Sequence, residues 1–339
     1  MKYFRFLFFI FSFFIFHFSL FSAVRLPKLI SDGMILQRDV KVNVWGWADP
    51  NEKVAINIVG KTYSTQADAS GNWKVILKPH RAGGPYQMLV EGKNKIQLDN
   101  ILFGDVWLCS GQSNMELQIR RVKPLYEEEI SKALNTKIRF FDVPQKYDFK
   151  IPQIDYQSGS WQEVNPKTIL NFSAVGYFFA NELYKKYNIP IGIINASLGG
   201  SPIEAWMSEG ALRSFPEKLN EAYKWRNDEL IKKTETTEND NINKWYAEAN
   251  RKDAGQIGAW KLPTIDDKDW ETFNVPGYWS ETPIGKVNGV VWFRKEFEIS
   301  KENAGKSAFL NMGRIVDADS VFVNGKFVGN VTYQYPPRW

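Results

Sequence analysis

The chain has 339 residues and a net charge of +5, with 44% hydrophobic and 24% charged residues. These values are typical of a globular protein with two or three domains, and the small net charge argues against a nucleic-acid partner. Aromatic residues reach 15% and include 13 tryptophans, a frequency that suits both saccharide binding and core packing. The single cysteine, Cys109, lies in an apolar run, so we expect a buried free thiol.

Residues 1–23 have the pattern of a secretory signal peptide. Lys2 and Arg5 precede an almost wholly apolar run, residues 6–21, and two small residues follow it. The run is slightly short of the about 20 residues that span a membrane, so an uncleaved anchor is the alternative. The pattern predicts an exported protein, periplasmic or extracellular, with no other membrane contact.

Residues 24–102 are predicted to form a β-sandwich domain. Short segments in which apolar and polar residues alternate are separated by turns such as residues 69–72. The predicted strands are residues 40–45, 54–59, 73–77, 87–90 and 95–98. His80 lies in a loop of this segment and carries no predicted chemistry.

A strand–turn–helix pattern follows at residues 105–119. Residues 106–109 are apolar and predict a strand buried on both faces of a parallel sheet, while helix-compatible residues begin at Met115. Ser113 occupies the turn, at the carboxyl end of the strand, where open α/β sheets bind their ligands. The N–H groups of a following helix would favour negative charge there. A turn that only caps the helix is the alternative.

The same pattern recurs at residues 189–202. A predicted strand, residues 189–194, runs into a glycine-containing turn, residues 195–201, and Pro202 suits the first position of a helix. Between the two patterns lie a strand candidate, residues 137–141, and a helix with Val175, Phe178, Phe179, Leu183 and Tyr187 on one face. Adjacent parallel strands would bring both turns to one edge of the sheet.

Residues 111–115, Gly-Gln-Ser-Asn-Met, resemble the nucleophile block of the SGNH hydrolases in the form used by sialate O-acetylesterases. Residues 195–200 are similar to the second block of that family. The resemblance implies that Ser113 is the nucleophile and that the N–H groups of Ser113 and Gly200 hold the oxyanion, with Gly199 as the alternative donor. Gln112 and Asn114 would shape the turn.

Two more residues match the family's pattern, and two family motifs are missing. Glu204 and Trp206 match it and are expected either to line a sugar pocket or to pack a helix. The two histidines, His17 and His80, stand in no Asp-x-x-His motif, and the family's Gln-Gly-Glu block is absent. We therefore expect the front part of a longer enzyme, with an incomplete SGNH domain at residues 103–258 and the catalytic base outside this chain.

The last part of the chain is predicted to change from polar helices to β-structure. Residues 211–258 are polar and predict exposed helices and a linker. Strand candidates follow at residues 290–297, 308–310 and 320–323, and Asn324-Gly325 predicts a two-residue hairpin. Residues 259–339 resemble a galactose-binding-like jelly roll, but they supply fewer than the eight strands of a jelly roll, so we expect a truncated domain.

Two functional hypotheses follow. The first is a secreted carbohydrate O-acetylesterase that removes acetyl groups from an O-acetylated sugar, sialic acid or a relative, through an acyl-serine. It requires no metal or organic cofactor, and the sequence contains no Cys/His cluster or phosphate-binding loop. The second is a non-catalytic carbohydrate-binding or adhesion protein, which would explain the many tryptophans and the missing histidine base.

Overall fold

The computed structural model describes residues 23–332, so residues 1–22 of the predicted signal peptide lie outside the described part of the chain. The described chain divides into two compact units. Unit 1 comprises the residues up to Tyr147 together with Pro152–Pro202, and unit 2 comprises Asp148–Ile151 and the residues from Ile203 onward. The fold is mixed α/β, with one large mixed sheet and two smaller sheets.

The described part of unit 1 contains ten strands. They are β1 (Ile35–Gln37), β2 (Val42–Trp47), β3 (Lys53–Ile58), β4 (Lys61–Gln66), β5 (Asn72–Leu77), β6 (Gly83–Glu91), β7 (Lys95–Gly111), β8 (Asn135–Asp142), β9 (Trp161–Val164) and β10 (Ile191–Ser197). The large sheet has the order β4-β3-β6-β7-β10-β8-β9, and β1 pairs with β7; β2 and β5 form a separate antiparallel pair. The strands predicted between residues 40 and 98, at 137–141 and at 189–194 are all present.

Strand β7 connects the β-rich segment to the parallel part of the sheet. Its first half pairs antiparallel with β6, and its second half pairs parallel with β10 over Asp105–Gly111. β10 also pairs parallel with β8, and β9 closes the sheet antiparallel to β8. The boundary predicted between residues 102 and 103 falls inside this 17-residue strand.

The prediction that residues 106–109 are buried on both faces is wrong. Cys109 is buried, but Trp107 and Leu108 are 44% and 69% exposed. Beyond Gly104 the edge of β7 that pairs with β1 has no partner strand among the described residues. Side chains there have sheet neighbours on one side only and stay in contact with solvent.

Unit 1 has three α-helices among the described residues: α1 (Ser113–Glu116), α2 (Glu127–Lys132) and α3 (Ala174–Tyr187). The hydroxyl of Ser173 accepts the Gly176 N–H and caps α3, and the helix ends at Asn188 in a left-handed conformation. Ala174, Tyr177 and Ala180 are buried against the sheet.

The apolar helical face predicted for α3 is only partly the buried one. Phe178 and Leu183 pack against the core, but Val175, Phe179 and Tyr187 are exposed. The face that meets the sheet includes Ala174, Gly176 and Ala180, whose small side chains let the helix backbone approach the strands closely.

Most of the regular secondary structure among the described residues of unit 2 is helical. Its helices are α4 (Glu209–Leu212), α5 (Pro216–Lys224), α6 (Asp228–Lys252) and α7 (Ala254–Ile257), and its strands are β11 (Asp319–Val323) and β12 (Lys326–Val331). The predicted hairpin is confirmed, because β11 and β12 pair antiparallel and Asn324 and Gly325 both have positive φ. The predicted exposed helices are confirmed as well, since no residue of α5 or α6 is buried.

Two of the strands predicted in unit 2 are not formed. Residues 290–297 and 308–310 have no ladder partner, and Phe297 and Phe309 are exposed. A strand needs a neighbouring strand for its backbone hydrogen bonds, so β-type residues alone do not make one.

No helix within residues 23–332 is both long and apolar enough to cross a membrane.

Candidate active site

Two turns of unit 1 lie side by side at the carboxyl edge of the parallel strands. β7 and β10 are neighbours in register, with Ser110 opposite Ala196 and Gly111 opposite Ser197. The amide of Leu198 donates to the carbonyl oxygen of Gly111 at 3.0 Å. The prediction that both strand–turn–helix patterns meet at one edge is therefore confirmed.

Ser113 is exposed at the start of α1 and lines an open cleft of about 560 Å³. The cleft is lined by residues 110–115 and Val175. Gln112 is the residue before the helix, and its side chain makes no capping hydrogen bond. Because Ser113 lies inside the helix, capping does not explain a serine at this position.

The helix after Ser113 is much shorter than predicted. α1 is a single turn that ends at Glu116, because Leu117 adopts a non-helical backbone conformation, and a 3₁₀ turn follows at Ile119–Arg121. Of the residues 115–119 that were predicted to be helical, only Met115 and Glu116 lie in an α-helix, so the dipole of a longer helix is absent at Ser113. Backbone amides from the neighbouring turn are the remaining candidate donors to an oxyanion.

Gly199 and Gly200 differ in their relation to Ser113. A Cβ placed on Gly199 would lie 3.5 Å from the Ser113 hydroxyl oxygen and 2.4 Å from Oε2 of Glu116. The Gly199 N–H donates to that same Glu116 oxygen at 2.5 Å. Gly200 has φ of +74°, and a Cβ there would meet no atom within 4 Å. The glycine turn therefore lies against Ser113, with the Gly199 amide already bound.

Glu116 and Gln145 belong to this site and were missed from the sequence. Oε1 of Glu116 accepts from Nε2 of Gln145 at 2.8 Å, and the same nitrogen lies 3.2 Å from the carbonyl oxygen of Ser197. Glu116 could have been found, because it stands three residues after Ser113 and positions i and i+3 share a helix face. Gln145 comes from a long loop after β8 and has no signal in the sequence.

Gln112 and Asn114 flank Ser113. Nε2 of Gln112 donates to the carbonyl oxygen of Ser201, on the far side of Gly200. Asn114 is exposed and lines the cleft. The roles predicted for the two residues remain predictions, but both lie beside Ser113.

A second group of hydrogen-bonded polar side chains lies at the ends of β8 and β10. Nδ2 of Asn195 donates to Oδ1 of Asp142 at 3.0 Å, and the Ser197 hydroxyl donates to Oδ1 of Asn195 at 2.8 Å. Desolvation by surrounding protein groups raises the pKa of the Asp142 carboxyl, against the opposing effect of the Asn195 hydrogen bond. Carboxylates with a raised pKa concentrate at functional sites.

His80 cannot serve as the base for Ser113. Its ring packs against Phe103, with centroids 4.6 Å apart, and its Nδ1 lies 2.7 Å from the carbonyl oxygen of Arg81. Phe103 precedes Gly111 by eight residues along β7, which is about 26 Å at about 3.3 Å per strand residue. Within residues 23–332 there is no other histidine.

Glu204 and Trp206 lie in unit 2, on a 3₁₀ turn at Ile203–Trp206. The side chain of Glu204 pairs with Nζ of Lys218 at 2.8 Å, and this hydrogen bond lowers the pKa of Glu204. Trp206 is exposed. Their predicted place in a sugar pocket remains a prediction.

Comparison with known proteins shows what the α/β part of the chain is similar to. Residues 103–244 match the family model described as carbohydrate esterase, sialic acid-specific acetylesterase. The sialate O-acetylesterases of Homo sapiens and Rattus norvegicus are each 29% identical, over 209 and 208 residues. Each match covers 56% of this chain, and 40% and 38% of those proteins respectively.

A solved structure gives the same result. The crystal structure of a carbohydrate acetylesterase from Xanthomonas citri matches with a TM-score of 0.54 and 42% identity, over 56% of this chain and 44% of that one. The recognition made from the two sequence motifs is confirmed: the chain is related to the sialate O-acetylesterase-like carbohydrate esterases. It spans about 40% of the length of the curated relatives it matches.

Proposed function

We propose that Ser113 is the nucleophile of a carbohydrate O-acetylesterase that removes acetyl groups from O-acetylated sugars, with sialic acid as the first candidate. The observation that carries the proposal is the position of the Ser113 hydroxyl, in an open cleft and against the Gly199–Gly200 turn. The family match over residues 103–244 supports ester chemistry on a sugar.

The proposed reaction has two steps. The Ser113 oxygen attacks the acetyl carbonyl carbon while a base takes the serine proton; the sugar hydroxyl leaves with a proton, and an acetyl-serine remains. Water then attacks the acetyl-serine, releasing acetate and restoring Ser113. Both steps pass through a tetrahedral oxyanion that preplaced N–H donors stabilise.

We assign the oxyanion donors to the N–H groups of Ser113 and Gly200. Gly199 is disfavoured because Glu116 already accepts its N–H. Gly200 follows directly and has open space on its Cβ side, so a carbonyl group could approach its backbone.

The base is proposed to come from an Asp-x-x-His motif, as in the family that the chain resembles, within a longer protein. His80 is excluded by its distance along β7. We also propose the domain organisation. Residues 24–102 form a β-sandwich, residues 103–258 form the first part of an SGNH-type domain, and residues 259–339 form a galactose-binding-like domain. We also propose export through the signal peptide at residues 1–23.

The experiment measures acetate release from 9-O-acetylated sialic acid by the 339-residue chain and by Ser113→Ala, with and without added imidazole as an external base. Without imidazole, both proteins should give only the residual catalysis of binding and the oxyanion site, roughly 10³–10⁴ over water in triad enzymes. With imidazole, the wild-type rate should rise above that of Ser113→Ala at each concentration.

Two results would count against this proposal. Equal rates for wild type and Ser113→Ala at all imidazole concentrations would remove Ser113 as the nucleophile. Serine-dependent turnover of about 1–10³ per second without imidazole, the usual enzymatic range, would show that the chain contains its own base.

A second candidate function is supported by exposed aromatic residues of unit 2. Trp245 and Tyr246 lie together on α6, with ring centroids 5.0 Å apart, and both are exposed. Exposed aromatic faces of this kind stack on sugars, so a non-catalytic carbohydrate-binding role is the alternative. It predicts that Trp245→Ala weakens binding of non-acetylated sialic acid in calorimetry, whereas Ser113→Ala does not.

A further inference from the structure

The glycine turn at residues 199–200 is held from both sides by neighbours of Ser113. Gln112, the residue before Ser113, donates to the carbonyl oxygen of Ser201. Glu116, three residues after Ser113, accepts the N–H of Gly199 at 2.5 Å. The Gly200 amide lies between these two contacts, so one short segment carries the nucleophile and also sets the position of the opposite turn.

The Glu116 carboxylate is itself held in place. One oxygen receives the Gly199 N–H, and the other receives Nε2 of Gln145, which also contacts the carbonyl oxygen of Ser197. Each carboxylate oxygen thus has a partner, and Gln145 ties the group to the end of β10. A half-buried carboxylate with two such hydrogen bonds has little freedom to rotate.

The carboxylate also explains why residue 199 is a glycine. Oε2 of Glu116 lies 2.4 Å from the point where a Cβ of residue 199 would stand, and the Ser113 hydroxyl oxygen lies 3.5 Å from the same point. A side chain there would collide with the carboxylate. Glycine is needed at this position for close approach, whereas Gly200 is the one with a left-handed backbone.

We propose that Glu116 is a positioning residue, which anchors the Gly199 amide so that the following Gly200 amide is held as the oxyanion donor. This inference rests on the proposed esterase function. It assigns different roles to the two amides of the turn. The Gly199 N–H binds Glu116 and fixes the turn, and the Gly200 N–H donates to the oxyanion.

The anchor can be tested without activity. Selective ¹⁵N-glycine labelling of the full chain limits the amide signals in the NMR spectrum to those of its 24 glycines. The signals of Gly199 and Gly200 are identified as those that disappear in Gly199→Ala and Gly200→Ala. Glu116→Ala should speed exchange of the Gly199 amide proton by roughly 10- to 100-fold, because hydrogen bonds to charged groups contribute about that factor. Glu116→Gln keeps an oxygen acceptor and should retain part of the protection.

Two further variants control for general effects. Glu128→Ala removes an exposed carboxylate of α2 that pairs with Lys132, and it should leave Gly199 unchanged. Gln145→Ala keeps Glu116 but removes its support; it should speed Gly199 exchange by roughly 2- to 10-fold, the effect of a neutral hydrogen bond. Gln145→Ala decides the question if Glu116→Ala does not fold.

The functional part uses the imidazole-supported acetate release described above. Glu116→Ala should lower kcat, by up to the about 10²–10³ that one oxyanion donor supplies, with little change in KM, because the donor acts in the transition state. Glu116→Gln should recover most of the rate. If Glu116 had a purely structural role, we would not expect a lower kcat with an unchanged KM in Glu116→Ala together with a recovered kcat in Glu116→Gln.

The outcomes separate this inference from the proposed function. If wild type shows no Ser113-dependent release of acetate, the esterase proposal fails. The Gly199 exchange rates then still test whether Glu116 anchors the Gly199 amide. Gly199 exchange in Glu116→Ala equal to that of wild type would overturn the anchor. A raised KM with unchanged kcat would overturn the positioning role even if the anchor stands.

Discussion

At the scale of single residues, two adjacent glycines of the site are required for different physical reasons. Gly199 has no room for a Cβ, because the Glu116 carboxylate stands 2.4 Å from where it would be. Gly200 has room but a φ of +74°, a conformation that costs other L-residues about 1–2 kcal/mol. Glycine at the first position is therefore a matter of contact, and at the second a matter of backbone conformation.

This difference predicts different outcomes for alanine at the two positions. Gly200→Ala should lower the free energy of unfolding by about 1–2 kcal/mol and leave Glu116 in place. Gly199→Ala should displace Glu116 and shift the Gln145 side-chain amide signals in NMR, which Gly200→Ala should not do. Equal Gln145 shifts in both variants would contradict the contact argument.

Asp142 provides a residue-scale prediction about pH. Its pKa is raised in the folded protein by desolvation, so the ionised carboxylate destabilises the fold, but only slightly, because Asp142 is exposed and solvent screens its charge. Protonation relieves the effect as pH falls through the raised value. Asp142→Asn, which keeps the acceptor for Asn195, should be more stable than wild type at neutral pH. The advantage should shrink as pH is lowered through the folded pKa, as measured by urea unfolding.

Asp68 is a control of opposite sign. Backbone hydrogen bonds, from Asn72 first, lower its pKa, so its stabilising effect is present above the unfolded pKa and is lost as pH falls through the folded value. Asp68→Asn should be less stable than wild type at neutral pH, with the gap closing in acid. The same sign of effect for Asp142→Asn would show that the Asp142 carboxylate is not destabilising.

At the scale of secondary-structure elements, β7 and a buried arginine hold the two parts of unit 1 together. β7 belongs to both the antiparallel and the parallel regions of the sheet. Arg139, on β8, is 1% exposed and donates to the carbonyl oxygens of Gly33 and Asn100. It also lies 3.1 Å from Glu163, and burial lowers the pKa of Arg139 while Glu163 opposes that effect.

Arg139→Met should therefore destabilise unit 1 strongly. Methionine fills much of the volume but removes the donor to the carbonyl oxygens of Gly33 and Asn100, at a cost of about 1–3 kcal/mol for each buried acceptor left unsatisfied. It also removes the cation beside Glu163. The free energy of unfolding from urea titrations gives the value. Arg251→Met, which removes an exposed arginine paired with Glu248 on α6, is the matched control and should change little; similar losses in both variants would contradict the role of burial.

At the scale of the whole molecule, the residues that follow the predicted signal peptide are held in the β-rich segment of unit 1. The amide of Val24 donates to Oδ1 of Asn94 at 2.7 Å, and Nδ2 of Asn94 donates back to the Val24 carbonyl oxygen at 3.1 Å. Val24 is buried, and Arg25 pairs with Trp47. Removal of residues 1–22 would leave every one of these contacts in place.

The mature protein is therefore expected to begin near Ala23 or Val24. N-terminal sequencing of the protein recovered from the exported fraction of its host measures this directly. Cleavage several residues beyond Val24 would remove contacts of the β-rich segment and would argue against the assigned signal peptide. An intact Met1 on exported protein would favour the anchor.

What the sequence by itself determined here was local. The strand and turn that lead to Ser113, the second glycine turn and the Asn324-Gly325 hairpin follow from neighbouring residues, because turn chemistry and short apolar periodicity act over a few positions. The resemblance to the esterase family could also be recognised from the sequence, because each of its two motifs is a short run of consecutive residues.

Tertiary structure alone decided the rest. The exposure of Trp107 and Leu108 depends on which strands pair with β7, and the unformed strand at residues 290–297 depends on the lack of a partner. Gln145 reaches Glu116 across 29 residues, and no local pattern marks such a contact. Burial and long-range hydrogen bonds are properties of the assembled chain, because the partners come from segments that sequence spacing does not relate.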